Sequence, residues 1–563
     1  MRNFRAFKEL NLALDEMTVI IGENNTGKTS LLDAIRLCLS RPASRREALL
    51  EEYDFHLDRP DGDPNAVQLD IEVEFAESVA AEWPEDLVQQ LADAVVIDGD
   101  GLRRIRLRLT SRYDAGTLDY RTEWEFLDAA GNSMGARGRR TQTIVALQQA
   151  APIFYLTASR DASREFQARS AFWGPFLRNP SIPEEQRAIL EAELGTLNEK
   201  VLDAEGRLKS VATHLGRTSE LVDLGGGQSA KIEAIPLKIR DLLARAQVVI
   251  QGAAGISLPL ARHGTGTQSL AVLFLFEAFL TTLATQTFGP HSSPILTLEE
   301  PEAHLHPSAV RSLWSTLDGL HGQKIVVTHS GDLMAAVPLT AIRRLFRSEK
   351  GIEVRQVVTG TFTADEERKI NYHVRRSAGE MFFARCWLLG EGETEYWVFT
   401  ESARVLGIDL DRSGVRILSG YSQVYPVPLI RLADALGIAW HCVTDGDEKG
   451  KEYYAAVQPH AQSGGRTETD YLTKLGFNHM EHLLCEGGFG YVYERMVSPQ
   501  KRGAITAAAG QPEYWPQVIE ALPKRSKQDA AIETMAEMSS KGKASVPPAI
   551  RDILEKSVRL AER

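Results

Sequence analysis

Gly22-Glu23-Asn24-Asn25-Thr26-Gly27-Lys28-Thr29 decides how the rest of the chain is read. It matches G-x-x-x-x-G-K-[ST] at every defined position. The flanks agree with it. Met17-Thr18-Val19-Ile20-Ile21 is a short β-branched apolar run, the pattern of a buried strand, and Ser30 to Leu39 reads as a helix. In that order, the loop amides and the helix N-terminus face phosphate oxygens. The glycines keep Cβ atoms away from the anion. Asn24, Asn25, Thr26, Gly27, Lys28, Thr29 and Ser30 are therefore expected to bind ATP. Lys28 would reach the β- and γ-phosphates, and the Thr29 hydroxyl would ligate Mg²⁺.

Later stretches supply what a nucleotide-hydrolysing site needs beyond that loop. His263-Gly264-Thr265-Gly266-Thr267-Gln268-Ser269-Leu270 precedes an apolar helix and reads as a second anion-binding helix N-terminus. It makes most sense closing on a nucleotide held by another copy of the chain. In Pro294-Ile295-Leu296-Thr297-Leu298-Glu299-Glu300-Pro301, an apolar strand ends in two acids. Glu299 would help hold Mg²⁺, and Glu300 would polarise the water attacking the γ-phosphorus. Lys324-Ile325-Val326-Val327-Thr328-His329-Ser330 delivers His329 to a strand end, where ligands bind in open α/β sheets. A core histidine is the alternative there.

Around these motifs the chain divides further. Residues 1–21 read as a hairpin, and the abrupt start at Met1-Arg2-Asn3-Phe4-Arg5 leads us to expect a strand before it. From 41 to 150 the pattern is β-rich: Val67–Phe75, Leu102–Leu109 and Tyr120–Phe126 alternate with period two. Arg103-Arg104-Ile105-Arg106-Leu107-Arg108 would give one strand a cationic face, with Arg137, Arg139 and Arg140 nearby; either serves nucleic acid or is solvated surface. A strand from Pro152 ends in a polar loop carrying Arg160, which faces a nucleotide, a neighbouring subunit or a local carboxylate. Ser181-Ile182-Pro183-Glu184 starts a helix with a capping-box pair. Leu190, Leu194, Leu197, Val201, Ala204, Leu208, Val211 and Leu215 then form an a/d seam, read as a dimerisation insertion that packs on a partner copy, with an amphipathic helix lying on its own domain as the alternative. Gly195 and Gly206 weaken it by about 1 kcal/mol each relative to alanine. Gly225-Gly226-Gly227 closes it.

Composition sets bounds. At 563 residues the chain needs more than one core. Its net charge of −12 makes no global case for nucleic acid and leaves local patches open. The four cysteines lie far apart with no C-x-x-C pair, which argues against disulfides and a zinc knuckle and points to a reducing cytoplasm. Leu270–Leu280 is too short to span a bilayer, and no leader precedes the first strand, so no membrane partner is expected.

The C-terminal third carries a different chemistry. Cys386-Trp387-Leu388-Leu389-Gly390-Glu391 is a strand ending in an acid, and Glu395 lies in the first turn of the helix that follows. Ala439-Trp440-His441-Cys442-Val443-Thr444-Asp445-Gly446-Asp447 ends a second strand in Asp-x-Asp, with both aspartates on one face if the strand continues. Clustered at strand ends, these carboxylates would repel one another unless hard divalent cations sit among them, Mg²⁺ or Mn²⁺ rather than zinc. Glu481 is a further candidate ligand.

The motifs of the first two-thirds resemble the ATPase heads of the ABC/SMC/RecF-like group. That resemblance implies that Thr265, Gly266 and Gln268 form a signature reaching across a head dimer. The chain departs from the group in carrying Glu299 where most members have aspartate, and it shows no glutamine-loop, so ATP binding is expected ahead of fast hydrolysis. Gly390-Glu391-Gly392-Glu393-Thr394-Glu395 with Asp445-Gly446-Asp447 resembles the Toprim domain, with Gly420 at the turn of its middle strand. The two together resemble the OLD (overcoming lysogenisation defect) family of ATP-linked endonucleases. The fold expected is α/β: residues 1–165 an ATPase N-terminal lobe, 166–230 a helical insertion, 231–370 the ATPase C-terminal lobe, and 371–563 a Toprim domain with C-terminal helices. The resemblance implies a homodimer that cuts DNA with two metals about 4 Å apart, in phage defence or repair and with a possible helicase partner. It also implies a catalytic lysine, Lys543 or its neighbour Lys541. A non-cleaving DNA clamp and an RNA-cleaving effector are the competing functions.

Overall fold

The computed structural model describes residues 1–40, 50–58, 62–157, 173, 177, 180–216, 232–251, 255–423 and 425–562. Arg160 and the triglycine at 225–227 lie outside them. The P-loop strand β3 (Met17–Gly22) runs into α1 (Lys28–Leu39). It is a central strand because its run Val19-Ile20-Ile21 is buried on both faces. Its sheet also contains β8 (Ile153–Leu156), β11 (Ile295–Glu299), β12 (Gln323–Val327), β13 (Ile342–Ser348) and β14 (Gly351–Gln356). The order is β14-β13-β3-β12-β11-β8, parallel except for β14.

The initial hairpin, β1 (Arg2–Phe4) and β2 (Phe7–Glu9), joins a second sheet with β4 (Leu69–Ala76), β5 (Val96–Ile97), β6 (Arg103–Asp114) and β7 (Asp119–Leu127). Along β6, Ile105, Leu107 and Leu109 are buried against α1, as the period-two pattern requires. The intervening Arg104, Arg106 and Arg108 are paired with Asp98, Asp100, Glu74 and Glu72. Arg137 and Arg140 pair with Asp93, and Arg139 with Glu125. The basic stripe is thus largely neutralised within its own lobe.

The helical insertion is α2 (Glu184–Ala204) followed by α3 (Gly206–Gly216), not one helix. The break falls at Glu205, beside Gly206, where propensity is lowest. Pro183 occupies the cap, and no side chain caps the helix, so the Ser181 capping box does not form. Leu190, Leu197 and Val211 of the seam are exposed within one chain. A small hairpin, β9 (Val249–Gln251) and β10 (Ser257–Pro259), leads to α4 (Thr265–Thr282).

Beyond β14, α5 (Ala364–Arg376) opens with a capping box between Thr363 and Glu366. A four-stranded parallel sheet follows, containing β15 (Cys386–Gly390), β16 (Val415–Ser419), β17 (Ala439–Thr444) and β18 (Leu472–Lys474) in the order β16-β15-β17-β18. Helices α6 (Glu393–Leu406), α7 (Pro426–Leu436), α8 (Glu448–Ala461), α9 (Met480–Leu484), α10 (Lys524–Lys541) and α11 (Pro548–Glu562) surround it. Alternation along β15 sorts its faces: Cys386 and Leu388 pack toward the C-terminal helices, while Trp387 and Leu389 join the core of the head. One apolar core therefore runs from β3 and β12 through to Trp440 and Tyr453. Arg344 of β13 reinforces the junction. Its buried guanidinium donates to the carbonyls of Leu436, Gly437 and Ala384, and burial brings its pKa down to about 10. No helix among the described residues is long and apolar enough to cross a membrane. The four cysteines are free and buried.

Candidate nucleotide site and carboxylate cluster

Sheet order assembles the first site. With β3 between β13 and β12, and β11 beside β12, the P-loop, Glu299–Glu300 and His329 emerge at neighbouring strand ends. Gly27 caps α1 in the left-handed region at φ 83°, and a Cβ there would stand 2.6 Å from the Phe7 ring. Only glycine fits both demands. Lys28 is buried and donates to the carbonyls of Gly22 (2.8 Å) and Glu23 (2.6 Å). Burial lowers its pKa to about 8, against the opposing pull of Glu300, Glu23 and Glu299. Thr29 donates its hydroxyl to Glu299 (2.5 Å), whose other oxygen accepts from Tyr155 (2.8 Å). Thr29 and Glu299, far apart in the chain, are thus neighbours at the P-loop.

Glu300 sits at φ 45°, its amide bonded to Val327 across the strand end. His329 is not a core histidine. It lines a cleft with Gly22, Asn24, Arg344 and Glu380, and its ring lies 6.4 Å from that of Phe383 at 20°. Glu302 fixes its loop by accepting from the Thr328 hydroxyl (2.6 Å) and the His329 amide (3.2 Å). Burial, then Lys28, holds the imidazole below its ordinary pKa. The signature residues are placed less directly. Thr265 begins α4, Gly266 abuts the His304 carbonyl, and Gln268 turns its amide back onto His263 (2.7 Å).

The second site forms where β15 and β17, adjacent and parallel, both end. Glu391 follows β15. Glu395 occupies the third position of α6, is buried, and accepts the Gly392 amide (2.9 Å). Asp445 follows β17, which stops at Thr444. The aspartates therefore lie in a loop rather than along a continuing strand. Asp447 caps α8 by accepting the Gly450 amide (2.7 Å). Gly450 is required there, since its Cβ would stand 2.2 Å from the Asp445 carbonyl oxygen. Glu481 accepts from Thr394 (3.0 Å), across the mouth of the same pocket.

The electrostatics show that these acids share one environment. Burial first, then Asp445 and Asp447, raises the Glu391 pKa to about 7. Burial, then Asp445, raises that of Glu395 to about 8. Asp445 is raised by burial as well. Glu391 Oε2 is buried without a hydrogen-bond partner. Among the described residues, no three His, Cys, Asp or Glu side chains stand close enough to enclose an ion as they are. The all-oxygen donor set and the orphaned Glu391 oxygen nevertheless suit hard divalent cations, provided the carboxylates swing together.

Lys543 is not brought to this pocket. Its ammonium lies 3.3 Å from where a Gly407 Cβ would stand, at the far end of α6. That is roughly 18 Å from Glu395 at the helical rise. Lys541 donates to the Tyr491 hydroxyl (3.1 Å) and sits over the Phe489 and Tyr491 rings. Among the described residues, His479 is the basic group in ion-pair range of the cluster, its Nδ1 lying 3.4 Å from Asp445. It stands two residues before Glu481, with no motif to mark it. Tyr155 and Glu302 escaped the sequence reading for the same reason: each acts through a contact distant in the chain.

Residues 1–379 match the family described as "Protein of unknown function (DUF2813)". Residues 382–447 match "Overcoming lysogenization defect protein-like, TOPRIM domain". The chain is similar to "Uncharacterized protein YbjD" of Escherichia coli (strain K12), 29% identical over 99% of this chain and 97% of that protein. It is 23% identical to "OLD nuclease" of Thermus scotoductus over 77% of this chain and 80% of the relative. Among solved structures, the C-terminal region of the Burkholderia pseudomallei OLD protein aligns at 20% identity and a TM-score of 0.26, covering 32% of this chain and 99% of that one. The chain belongs to the DUF2813 family and is an OLD-family protein, in which an ATPase region precedes a Toprim domain.

Proposed function

We propose that this protein is a nuclease in which ATP binding at the head controls metal-dependent cleavage of DNA phosphodiester bonds at the carboxylate pocket. The observation that carries this reading is the crowding of buried acids at two parallel strand ends, one with an unpartnered oxygen. Ionising such a pocket is costly, and a bound divalent cation offsets that cost. Glu391, Glu395, Asp445 and Asp447, with Glu481, would hold Mg²⁺ or Mn²⁺. When bound, such ions supply Lewis-acid chemistry and neutralise charge on the phosphodiester. Glu391 and Asp445 orient that chemistry from rigid strand ends, and the helix cap on Glu395 fixes a third carboxylate.

At the head, Lys28 and the P-loop amides would bind the triphosphate, with Thr29 and Glu299 on its Mg²⁺. Glu300 would align the attacking water, and His329 would contact the γ-phosphate. Contacts between the halves support control by ATP. Glu23 of the P-loop pairs with Arg385, immediately before β15 (3.4 Å), and Phe383 lies against His329. The exposed seam of α2 and α3 supports a homodimer. The test is supercoiled plasmid with Mn²⁺ or Mg²⁺, with and without ATP, comparing wild type with Asp445→Ala. Equal conversion to nicked or linear DNA by both proteins refutes the site.

A further inference from the structure

Beside the carboxylate pocket lies a cleft of about 230 Å³ lined by His373, Arg376, Glu393, Tyr396, Arg416 and Ser419. Its position follows from register. Gly390 of β15 pairs with Ser419 of β16, so the cleft opens at the strand end next to Glu391. Arg376 also borders a second cleft along α5, which carries Arg375 and Tyr372. The two clefts share Arg376 and together form one furrow beside the acids.

Its lining is unusual in two ways. Tyr396 (42%) in the first cleft and Tyr372 (46%) in the second are large exposed aromatics. Trp397 (42%) lines neither cleft but stands at the rim, meeting the Tyr396 ring edge to face at 5.8 Å. Arginines stand among them: Arg376 pairs with Glu393, and Arg416 with Glu380, in pairs open to solvent. Exposed pairs of this kind bind weakly, so a polyanion can displace the carboxylates. Guanidinium forks match phosphate, and exposed rings accept unstacked bases. A duplex keeps its bases stacked inside and would leave the rings unused.

We propose that this furrow is a track for a single-stranded segment of nucleic acid, its phosphates on Arg376 and Arg416 and its bases against Tyr396 and Trp397. The role of the neighbouring pocket rests on the nuclease reading, but the binding itself does not. Fluorescence anisotropy of the full chain in EDTA, with short single strands of DNA and of RNA and the matching duplex, tests it. The Tyr396→Ala/Trp397→Ala variant should lose about 30-fold or more in single-strand affinity, with duplex binding unchanged. Tyr396→Phe/Trp397→Phe should retain it. Arg376→Gln/Arg416→Gln should lower the salt slope of single-strand binding by about 1.4. The DNA and RNA arms identify which strand the furrow takes. Undiminished single-strand affinity in the alanine variant, or equal losses on single strand and duplex, overturns the proposal. A wild type that binds single strands yet leaves plasmid intact with Mn²⁺ would sink the nuclease reading and leave this track standing.

Discussion

The head and the Toprim domain both place their chemistry at the carboxyl ends of parallel strands, but they handle charge in opposite ways. At the head, the phosphate-loop groups are matched in advance: Lys28 with two carbonyls, and Thr29 and Tyr155 with Glu299. Glu302 accepts from Thr328 through one oxygen while its other is buried without a partner. In the Toprim pocket burial first, and then the neighbouring acids, drives Glu391 and Glu395 to pKa values of about 7 and about 8. A site of the first kind is organised before its ligand arrives. One of the second kind is under electrostatic tension that a cation relieves. The comparison says where each half is vulnerable.

The largest effect should come from removing a central acid. Asp445→Ala should cut nicking by about 10²-fold or more while ATP hydrolysis stays at the wild-type rate. Loss of both activities would mean that the sites are not separable. At the head, Glu300→Gln should slow ATP hydrolysis by about 10²-fold yet retain nucleotide binding, because Lys28 and the loop remain. Hydrolysis at the wild-type rate would remove Glu300 from its role.

The third prediction concerns pH. Glu391 and Glu395 are raised from 4.5 to about 7 and about 8, so between those values the folded chain binds more protons than the unfolded one. Stability in EDTA should therefore fall as pH rises from about 4.5 to 8. Mn²⁺, which favours the ionised carboxyls, should restore a few degrees of melting temperature, increasingly so toward pH 8. Thermal scans of wild type and Glu395→Gln check this, and a flat wild-type profile in EDTA would contradict it.

Smaller effects probe the connection between the halves. Arg385→Gln breaks the pair with Glu23, both partners half-exposed, so its stability effect should stay within about 1 kcal/mol. It should instead weaken the dependence of nicking on ATP, read as the ratio of rates with and without nucleotide. The smallest change is expected for Lys543→Ala. With its ammonium at the far end of α6, nicking should change less than about twofold. A large loss would show that the loop from Lys541 to Lys543 rearranges to reach the pocket.

What could be read from the residues depended on whether chemistry was contiguous. The P-loop lies within eight residues and brings its own strand and helix, so its amides, lysine and hydroxyl were all legible. Glu391 and Glu395 were legible because a helix start fixes their spacing. The Asp445–Asp447 relation was legible in type but not in geometry, since β17 stops at Thr444 and Asp447 caps α8. The seam at 190–215 was legible as helix, but not the break at Glu205, where local propensity outweighs the heptad. The basic stripe of β6 was visible, but its neutralisation depended on partners in β4 and on Asp98 and Asp100.

By itself, the sequence determined the strand–loop–helix unit, the order of the head motifs and the acids at two strand ends. All of these follow from local periodicity and from glycine's freedom, which act over a few residues. Only the tertiary structure decided that Tyr155 holds Glu299, that Glu302 steadies the His329 loop, that His479 stands at Asp445, and that Lys543 lies at the far end of α6 from Glu395. It also decided that a single core joins the two halves. Those are contacts across tens to hundreds of residues, set by sheet order and packing, and no short pattern encodes which side chains such packing brings together.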